Sequence, residues 1–202
     1  MGDIISGVDS SSACKASTIT CLKQQGISFV GRYYSRTTKI AGKKLTAAEA
    51  QLIAGGGLQI VAVYEDAPTN ASYFTAARGT ADANGAIAQA QSVGQPDGTT
   101  IYFTVDYDAE SDDISGGITE YFQAIAAALK GQYEVGVYGS GDVCAAMISD
   151  GYASFAWLAQ STGWSGYSNF TEWNIKQGPE QSVCGLNSDT DVAHGDFGGF
   201  TV

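Results

Sequence analysis

Residues 99–140 read TTIYFTVDYDAESDDISGGITEYFQAIAAALKGQYEVGVYGS, and three patterns follow one another along them. In TTIYFTVDYD (99–108), apolar Ile101, Phe103 and Val105 alternate with Tyr102, Thr104, Asp106 and Asp108, the two-residue period of a β-strand. In DISGGITEYFQAIAAALKG (113–131), Ile114, Ile118, Phe122, Ile125 and Leu129 recur at three-to-four spacing. Asp112 and Asp113 precede that run and Lys130-Gly131 closes it, as an amphipathic helix requires. YEVGVYGS (133–140) is again strand-like. The first strand ends on two acids of one face, at the carboxyl end of an apolar run. A carboxylate in an apolar interior costs several kcal/mol unless it is paired, solvated or protonated. This strand end must therefore open onto water.

The alternation continues on both sides. Strands are expected at DIISGVDS (3–10), SFVGRYYS (28–35), LQIVAVYED (58–66), SFAWLAQS (154–161), TEWNIKQG (171–178) and SDTDVAHG (188–195). Helices are expected over 16–25, 46–54, 80–93 and the short GDVCAAMISDG (141–151). The second opens on a capping box, Thr46 with Glu49, and closes on Gly55–Gly57; the third ends at Gly94. Helical signal fades after Trp157. Eight strands alternating with helices predict an α/β fold with a parallel sheet: one domain, 1–202, forming a small (β/α)8-type (TIM-like) barrel whose helices are thin or missing in the last third. The rival is an open doubly wound sheet. It lacks support, because no strand is followed by a G-x-G-x-x-G or Walker-type loop, and AGGGLQ (54–59) falls at a helix end.

Composition narrows the function. With 202 residues, 44% hydrophobic and 15% charged, the chain can bury a sizeable core. Ten Lys and Arg against twenty-one Asp and Glu give a net charge of −11, which removes the basic footprint a nucleic-acid binder needs. No apolar run approaches the roughly 20 residues of a membrane span. MGDIISGVDSSS has neither a basic region nor a long apolar stretch, so no secretory leader is expected. The abundance of Gly, Ser, Thr, Tyr and Asn with few Lys nevertheless fits an extracytoplasmic or secreted protein, exported without a leader or trimmed, and expected to be a monomer. Cys14, Cys21, Cys144 and Cys184 allow two disulfides in three connectivities, or buried thiols. No C-x-x-C occurs and His194 is the one histidine, so no metal site and no cofactor is expected.

In a barrel of this kind the active site lies at the carboxyl ends of the strands. Those ends carry Asp9; Arg32, Tyr33 and Tyr34; Tyr64, Glu65 and Asp66; Asp106 and Asp108; Tyr138; Gln160; Gln177; Asp189 and Asp191. Any one acid can be a helix cap or a solvated turn residue. Several converging on one mouth suit glycoside hydrolysis, where one carboxyl group donates a proton and a second supports the developing cation. Clustering itself raises one pKa while leaving another group ionised. Tyr33, Tyr34, Tyr64, Tyr138, Trp157 and Trp164 supply flat faces for sugar rings, or simply pack. Other chemistries fail on spacing. In NSDTDVAHGDFG (187–198) a calcium loop would need Gly at Val192 and Glu at Gly198. YGSGD (138–142) lacks the spacing of a nucleophile elbow, and His194 reads as a surface or structural residue.

Several segments together carry a likeness. GVDSSS (7–12), FVGRYYS (29–35), KKLTAAEA (43–50), IYFTVDYDA (101–109), GVYGSGDVC (136–144), WLAQSTGW (157–164) and DVAHGDFG (191–198) resemble, in order and over nearly the whole chain, domain-of-unknown-function family 1906, the glycoside-hydrolase-like barrels. That family is related to the family 25 glycoside hydrolases, lysozymes that cleave the peptidoglycan backbone. The resemblance implies a groove for a cell-wall glycan polymer, with no nucleic-acid or membrane partner. It matches Asp9 to the acid of the first strand, Asp106 and Asp108 to the Asp-x-Glu of the fourth, and Asp191 to the late acid. Asp108 stands where those lysozymes place a Glu proton donor, which withdraws the carboxyl by about 1.5 Å, the length of one C–C bond. A misplacement of about 1 Å can cost roughly a hundredfold in rate. The expected catalytic set is therefore Asp106, Asp108, Asp9 and Asp191, with Glu65 as alternative donor. Arg32, Tyr34, Tyr64, Tyr138, Trp157, Gln160, Trp164 and Gln177 are the expected substrate contacts. A glycan-binding protein without turnover is the alternative.

Overall fold

A computed structural model describes residues 4–202. All eight expected strands form: β1 (Ile4–Asp9), β2 (Phe29–Tyr34), β3 (Gln59–Tyr64), β4 (Thr100–Thr104), β5 (Glu134–Gly139), β6 (Phe155–Leu158), β7 (Ile175–Val183) and β8 (Leu186–His194). Asp3, which opens the first expected strand, lies outside the described residues. The strands close in sequence order into a barrel.

β1 through β7 run parallel, each paired with the next. The expected parallel arrangement fails at β8, which is antiparallel to both β7 and β1. The reason is the connection. β7 and β8 are joined by Cys184 and Gly185 alone, both left-handed (φ 55° and 76°), which is the two-residue hairpin turn that reverses a strand. A parallel strand would need a crossover of a dozen or more residues.

The helices are α1 (Ala16–Gln24), α2 (Ala47–Gly55), α3 (Ala76–Val93), the single turn α4 (Ser111–Asp113), α5 (Thr119–Leu129) and α6 (Gly141–Ser149). α3 starts four residues earlier than the periodicity suggests, because Thr75 Oγ1 accepts from the Arg78 amide and caps it. The expected long fourth helix is broken by a π-helical turn, Ile114–Ile118, with Gly116 outside helical geometry (φ −102°, ψ −108°). No helix occurs among residues 159–174, between β6 and β7, as the fading pattern implies. The capping box on α2 is half formed. Thr46 accepts from the Glu49 amide at 3.2 Å, but the Glu49 carboxylate turns away to Arg32.

Two apolar cores result from the strand alternation. Ile101, Phe103 and Val105 face outward with Leu22, Ile53 and Ile125 beneath the helices. Inside the barrel lie Phe29, Val61, Tyr102, Trp157, Ile175 and Phe197. Phe197 plugs the amino-terminal end: its ring lies 4.7 Å from Phe29, its carbonyl accepts from Tyr102 Oη at 3.0 Å, and Phe200 bridges to Ile60. The carboxyl ends of β1 to β7 are left as the open mouth.

One disulfide, Cys21–Cys184, ties α1 to the hairpin tip across 163 residues of sequence. Cys14 and Cys144 are buried thiols, so the cysteines divide between the two possibilities read from the sequence. Burial pushes the Cys14 thiol up to about 11 and that of Cys144 up to about 12, leaving both unreactive at neutral pH. Replacing Cys21 and Cys184 by serine is expected to lower the unfolding free energy by about 2–5 kcal/mol in a denaturant titration. A thiol reductant should have the same effect on the wild type. An unchanged midpoint in both would show that the cross-link contributes nothing.

Candidate active site

Inward-facing residues at the open end line a pocket of about 240 Å³. Each strand contributes by its two-residue period: Asp9 from β1, Tyr33 from β2, Val63 from β3 with Glu65 just after it, Thr104 from β4 with Asp106 beyond, Tyr138 from β5, Trp157 from β6 and Gln177 from β7. Gln160 and Ser161 complete one wall from the loop after β6. β8 runs the other way, so its first half reaches the mouth. Asp189 lies opposite Asp9 in register, and Asp191 opposite Gly7, one inward position deeper. The floor requires small residues. A Cβ on Gly31 would stand 2.6 Å from the Asp9 Cβ and 2.8 Å from the Trp157 ring.

Hydrogen bonds fix the acids. Asp9 accepts from Tyr33 Oη at 2.8 Å and from Gln177 Nε2 at 2.9 Å. Tyr138 Oη donates to Gln177 Oε1 at 2.8 Å, which orients the amide so that Nε2 faces both Asp9 and Asp189, the latter at 3.3 Å. Gln160 Nε2 reaches the other Asp189 oxygen at 3.4 Å. Glu65 is salt-bridged to Lys43 at 2.9 Å, and the Lys43 ammonium lies 4.6 Å over the Tyr33 ring. Both Asp191 oxygens and Trp157 Nε1 are buried without a hydrogen-bond partner. The indole lies near enough to pull the Asp191 pKa down slightly, though outside hydrogen-bond geometry.

The electrostatic consequence is uniform in direction. Burial pushes Asp9 up to about 7, with hydrogen bonds from Gln177 and Tyr33 opposing. Burial, reinforced by the charges of Asp9 and Asp189, holds Asp191 well above the carboxylate range. Partial desolvation and then the charge of Glu65 raise Asp106, with Lys43 opposing; its side chain remains open to solvent at the mouth. Asp189 is raised by burial and by Glu180. All four shifts have burial as their largest cause, because desolvation penalises the charged form of a carboxyl.

The structure thus brings together Asp9, Asp106, Glu65, Tyr138, Trp157, Gln160 and Gln177 from the expected set, with Asp191 directly beneath. Five expected residues lie elsewhere. Asp108 is exposed, and its carboxylate accepts from the Ser165 amide at 2.8 Å, away from the pocket lining. Arg32, Tyr34 and Tyr64 fall on the opposite pleat and are buried between barrel and helices. Arg32 pairs with Glu49 at 2.8 Å, Tyr34 donates to Gln95, and Tyr64 donates to Asp66 and Asp82. They hold the barrel to its helices instead of lining the pocket, and this follows from parity, since Gly31 and Tyr33 on β2 and Val63 on β3 take the inward positions. Trp164 stands in the 159–174 loop outside the pocket. His194 stacks on Trp173 at 4.5 Å between ring centres, a structural contact. The pocket also contains Asp189, Tyr33, Thr104 and Ser161, with Lys43 behind Glu65. Parity with Asp191 would have found Asp189; nothing periodic marks Lys43, which sits in the loop before α2.

A closed eight-stranded barrel with a carboxylate-lined, aromatic-walled pocket at its strand ends defines a glycoside hydrolase-like domain. The chain belongs to the family described as Rv2525c-like, glycoside hydrolase-like domain, whose pattern it matches over residues 20–200. It is 36% identical over 174 residues to YbfG of Bacillus subtilis (strain 168), a match covering 77% of this chain and 24% of YbfG. The chain therefore spans about a quarter of the length of that relative. Its fold is shared with the Tat-secreted protein Rv2525c of Mycobacterium tuberculosis (TM-score 0.83, 20% identity, 96% of this chain and 98% of that one). It is also shared with a bacterial lysozyme from Streptomyces coelicolor (TM-score 0.64, 18% identity, 95% and 93%).

Asp9 and Asp191 hold protons in the folded chain that the unfolded chain has already released above its ordinary value of 3.8. The folded state therefore binds more protons, and its stability falls as pH rises from about 4 through about 7. Asp9→Asn is expected to remove its share of this loss. Across that interval the stability of the variant should gain on the wild type by a few kcal/mol, measured by urea unfolding at each pH. A difference that stays flat, or moves the other way, would show that Asp9 is not desolvated.

Proposed function

We propose that this domain is a glycoside hydrolase of muramidase type, acting on bacterial cell-wall peptidoglycan through the carboxyls of its mouth. The observation that carries the reading is the pocket itself, where Asp9, Glu65, Asp106 and Asp189 meet the rings of Tyr33, Tyr138 and Trp157. Asp106 is the proton donor: its raised carboxyl faces the pocket without an internal hydrogen bond, free to reach a glycosidic oxygen. Asp9, held by Tyr33 and Gln177, lies across the pocket to stabilise charge at the anomeric carbon or to orient an acetamido group. Glu65 is the second donor candidate, and Lys43 positions it. Asp108 anchors the 159–174 loop beside the mouth. Action outside the cytoplasm belongs to this reading, since a disulfide such as Cys21–Cys184 persists in oxidising compartments.

A second reading, glycan binding without turnover, draws on one observation. The residue at the Glu position of the lysozyme motif, Asp108, spends its carboxylate on the Ser165 amide instead of facing the pocket. Release of reducing ends from purified peptidoglycan separates the two. With Asp106 as donor, Asp106→Asn should lose at least about a hundredfold in rate. Asp108→Asn should keep most activity. Wild-type protein that sediments with peptidoglycan yet releases nothing selects the binding reading. Protein that neither sediments nor releases sugar would overturn both.

A further inference from the structure

Lys43 stands behind the pocket wall, only 8% exposed, on the loop 35–46 between β2 and α2. Its backbone is held on both sides. The Leu45 amide bonds the Tyr33 carbonyl at 3.0 Å, and the Lys43 amide bonds the Ile40 carbonyl at 3.2 Å. The fully buried Arg32 guanidinium donates to the Gly42 carbonyl at 2.6 Å, to the Ser10 carbonyl, and to Glu49 at 2.8 Å. One side chain therefore ties the residue after Asp9 to the residue before Lys43. A lysine fixed in this way keeps little of the side-chain freedom that makes exposed ion pairs weak.

The ammonium so placed faces two groups of the mouth. It pairs with Glu65 at 2.9 Å and lies 4.6 Å over the Tyr33 ring, whose hydroxyl donates to Asp9 at 2.8 Å. Asp106 shares the lining with Glu65, and the charges of Glu65 and Lys43 both reach it, in opposite senses. Tyr138 from β5, Asp9 from β1 and Asp189 from β8 are the other titratable groups of that lining, with Tyr33. Neighbouring carboxyls compete for a proton. With the proton on Glu65, a buried ammonium loses its partner. With the proton on Asp106, the ion pair stays and the repulsion between the two acids ends. The second state is the more stable.

Resting on the reading of this mouth as a hydrolase site, we propose that Lys43 is a positioning residue that assigns the roles of its two outer acids. It commits Glu65 to an ion pair and thereby leaves the proton to Asp106. Lys43 itself does not touch the glycosidic bond. Without it the proton is divided, and Glu65 becomes a competing donor at the same rim.

An NMR titration of the side-chain carboxyl carbons tests the assignment without any substrate. In the wild type Asp106 is expected to protonate in a single step. In Lys43→Met its curve should split into two, as the proton divides between Asp106 and Glu65. Adding Glu65→Gln to Lys43→Met should restore the single step, and Lys43→Arg should keep it. The same Asp106 curve in wild type and Lys43→Met overturns the proposal. Should Lys43→Met not fold, Lys43→Gln, uncharged but still polar, takes its place.

Release of reducing ends from peptidoglycan reads the same assignment as a rate. Asp106→Asn is expected to cost at least about a hundredfold in the wild-type background. In the Lys43→Met background it should cost less than about tenfold, since Glu65 then supplies the proton. An equal penalty in both backgrounds overturns the proposal while leaving Asp106 the donor. A split Asp106 titration in Lys43→Met, with no sugar released by any of these proteins, supports the role of Lys43 and overturns the hydrolase reading.

Discussion

The reversal of β8 is the constraint on which the rest of the molecule depends. A parallel eighth strand would present its carboxyl end, Ala193 and His194, at the mouth. Reversed, it presents Asp189 beside Asp9 and places Asp191 beside Gly7. Three carboxyls thereby occupy neighbouring inward positions of two paired strands, an arrangement no other pair in this barrel repeats. The turn that permits it is only Cys184-Gly185, and both residues adopt left-handed backbone that a two-residue hairpin demands. The disulfide to Cys21 fixes that turn to α1 and so fixes the wall of the mouth.

Placing three acids together carries an electrostatic cost, and the chain meets it differently on the two sides of its sheet. Outside the barrel, Asp66 is lowered: hydrogen bonds from Ser35, Thr37 and Tyr64 outweigh its burial, and Arg36 and Arg78 lie beside it. Inside, Asp9 and Asp191 receive no cation and are raised, Asp9 up to about 7. Identical side chains are thus moved in opposite directions by their partners alone. The outer network contributes stability that persists at neutral pH. The inner cluster sacrifices stability there and keeps carboxyls protonated near the pH at which a general acid works.

Much of this was legible in the sequence. Eight runs of period two, separated by helical or fading segments, gave the strands and the closed barrel, because local alternation and sheet pleat are the same property. The acids of the mouth were visible as polar residues interrupting apolar runs. Three things were hidden. The antiparallel closure depends on a two-residue turn, Cys184-Gly185, that carries none of the usual Asn-Gly or Asp-Gly chemistry. The side of the sheet taken by Arg32, Tyr34 and Tyr64 depends on strand parity, and a reading by strand ends alone mixes the two faces. Lys43 was beyond reach for another reason: loop residues obey no period, and its ion pair with Glu65 exists only once β2 and β3 are adjacent.

Parity also recasts the departure at Asp108. The difference between Asp and Glu looks like a matter of one methylene, but the backbone decides first where the side chain goes. After β4 ends at Thr104, the Val105 amide still bonds the Tyr138 carbonyl at 2.7 Å, and the Asp106 amide bonds the Pro68 carbonyl at 3.0 Å. Those two bonds hold Asp106 at the rim, continuous with the inward row of Tyr102 and Thr104. Two residues later the chain has left the sheet, and Asp108 meets the loop that follows β6 instead of the cavity. Restoring a glutamate at 108 would lengthen a side chain already aimed at Ser165, without turning it inward. The last acid the sheet still controls is therefore Asp106, which lines the pocket, while the acid beyond it bonds the neighbouring loop.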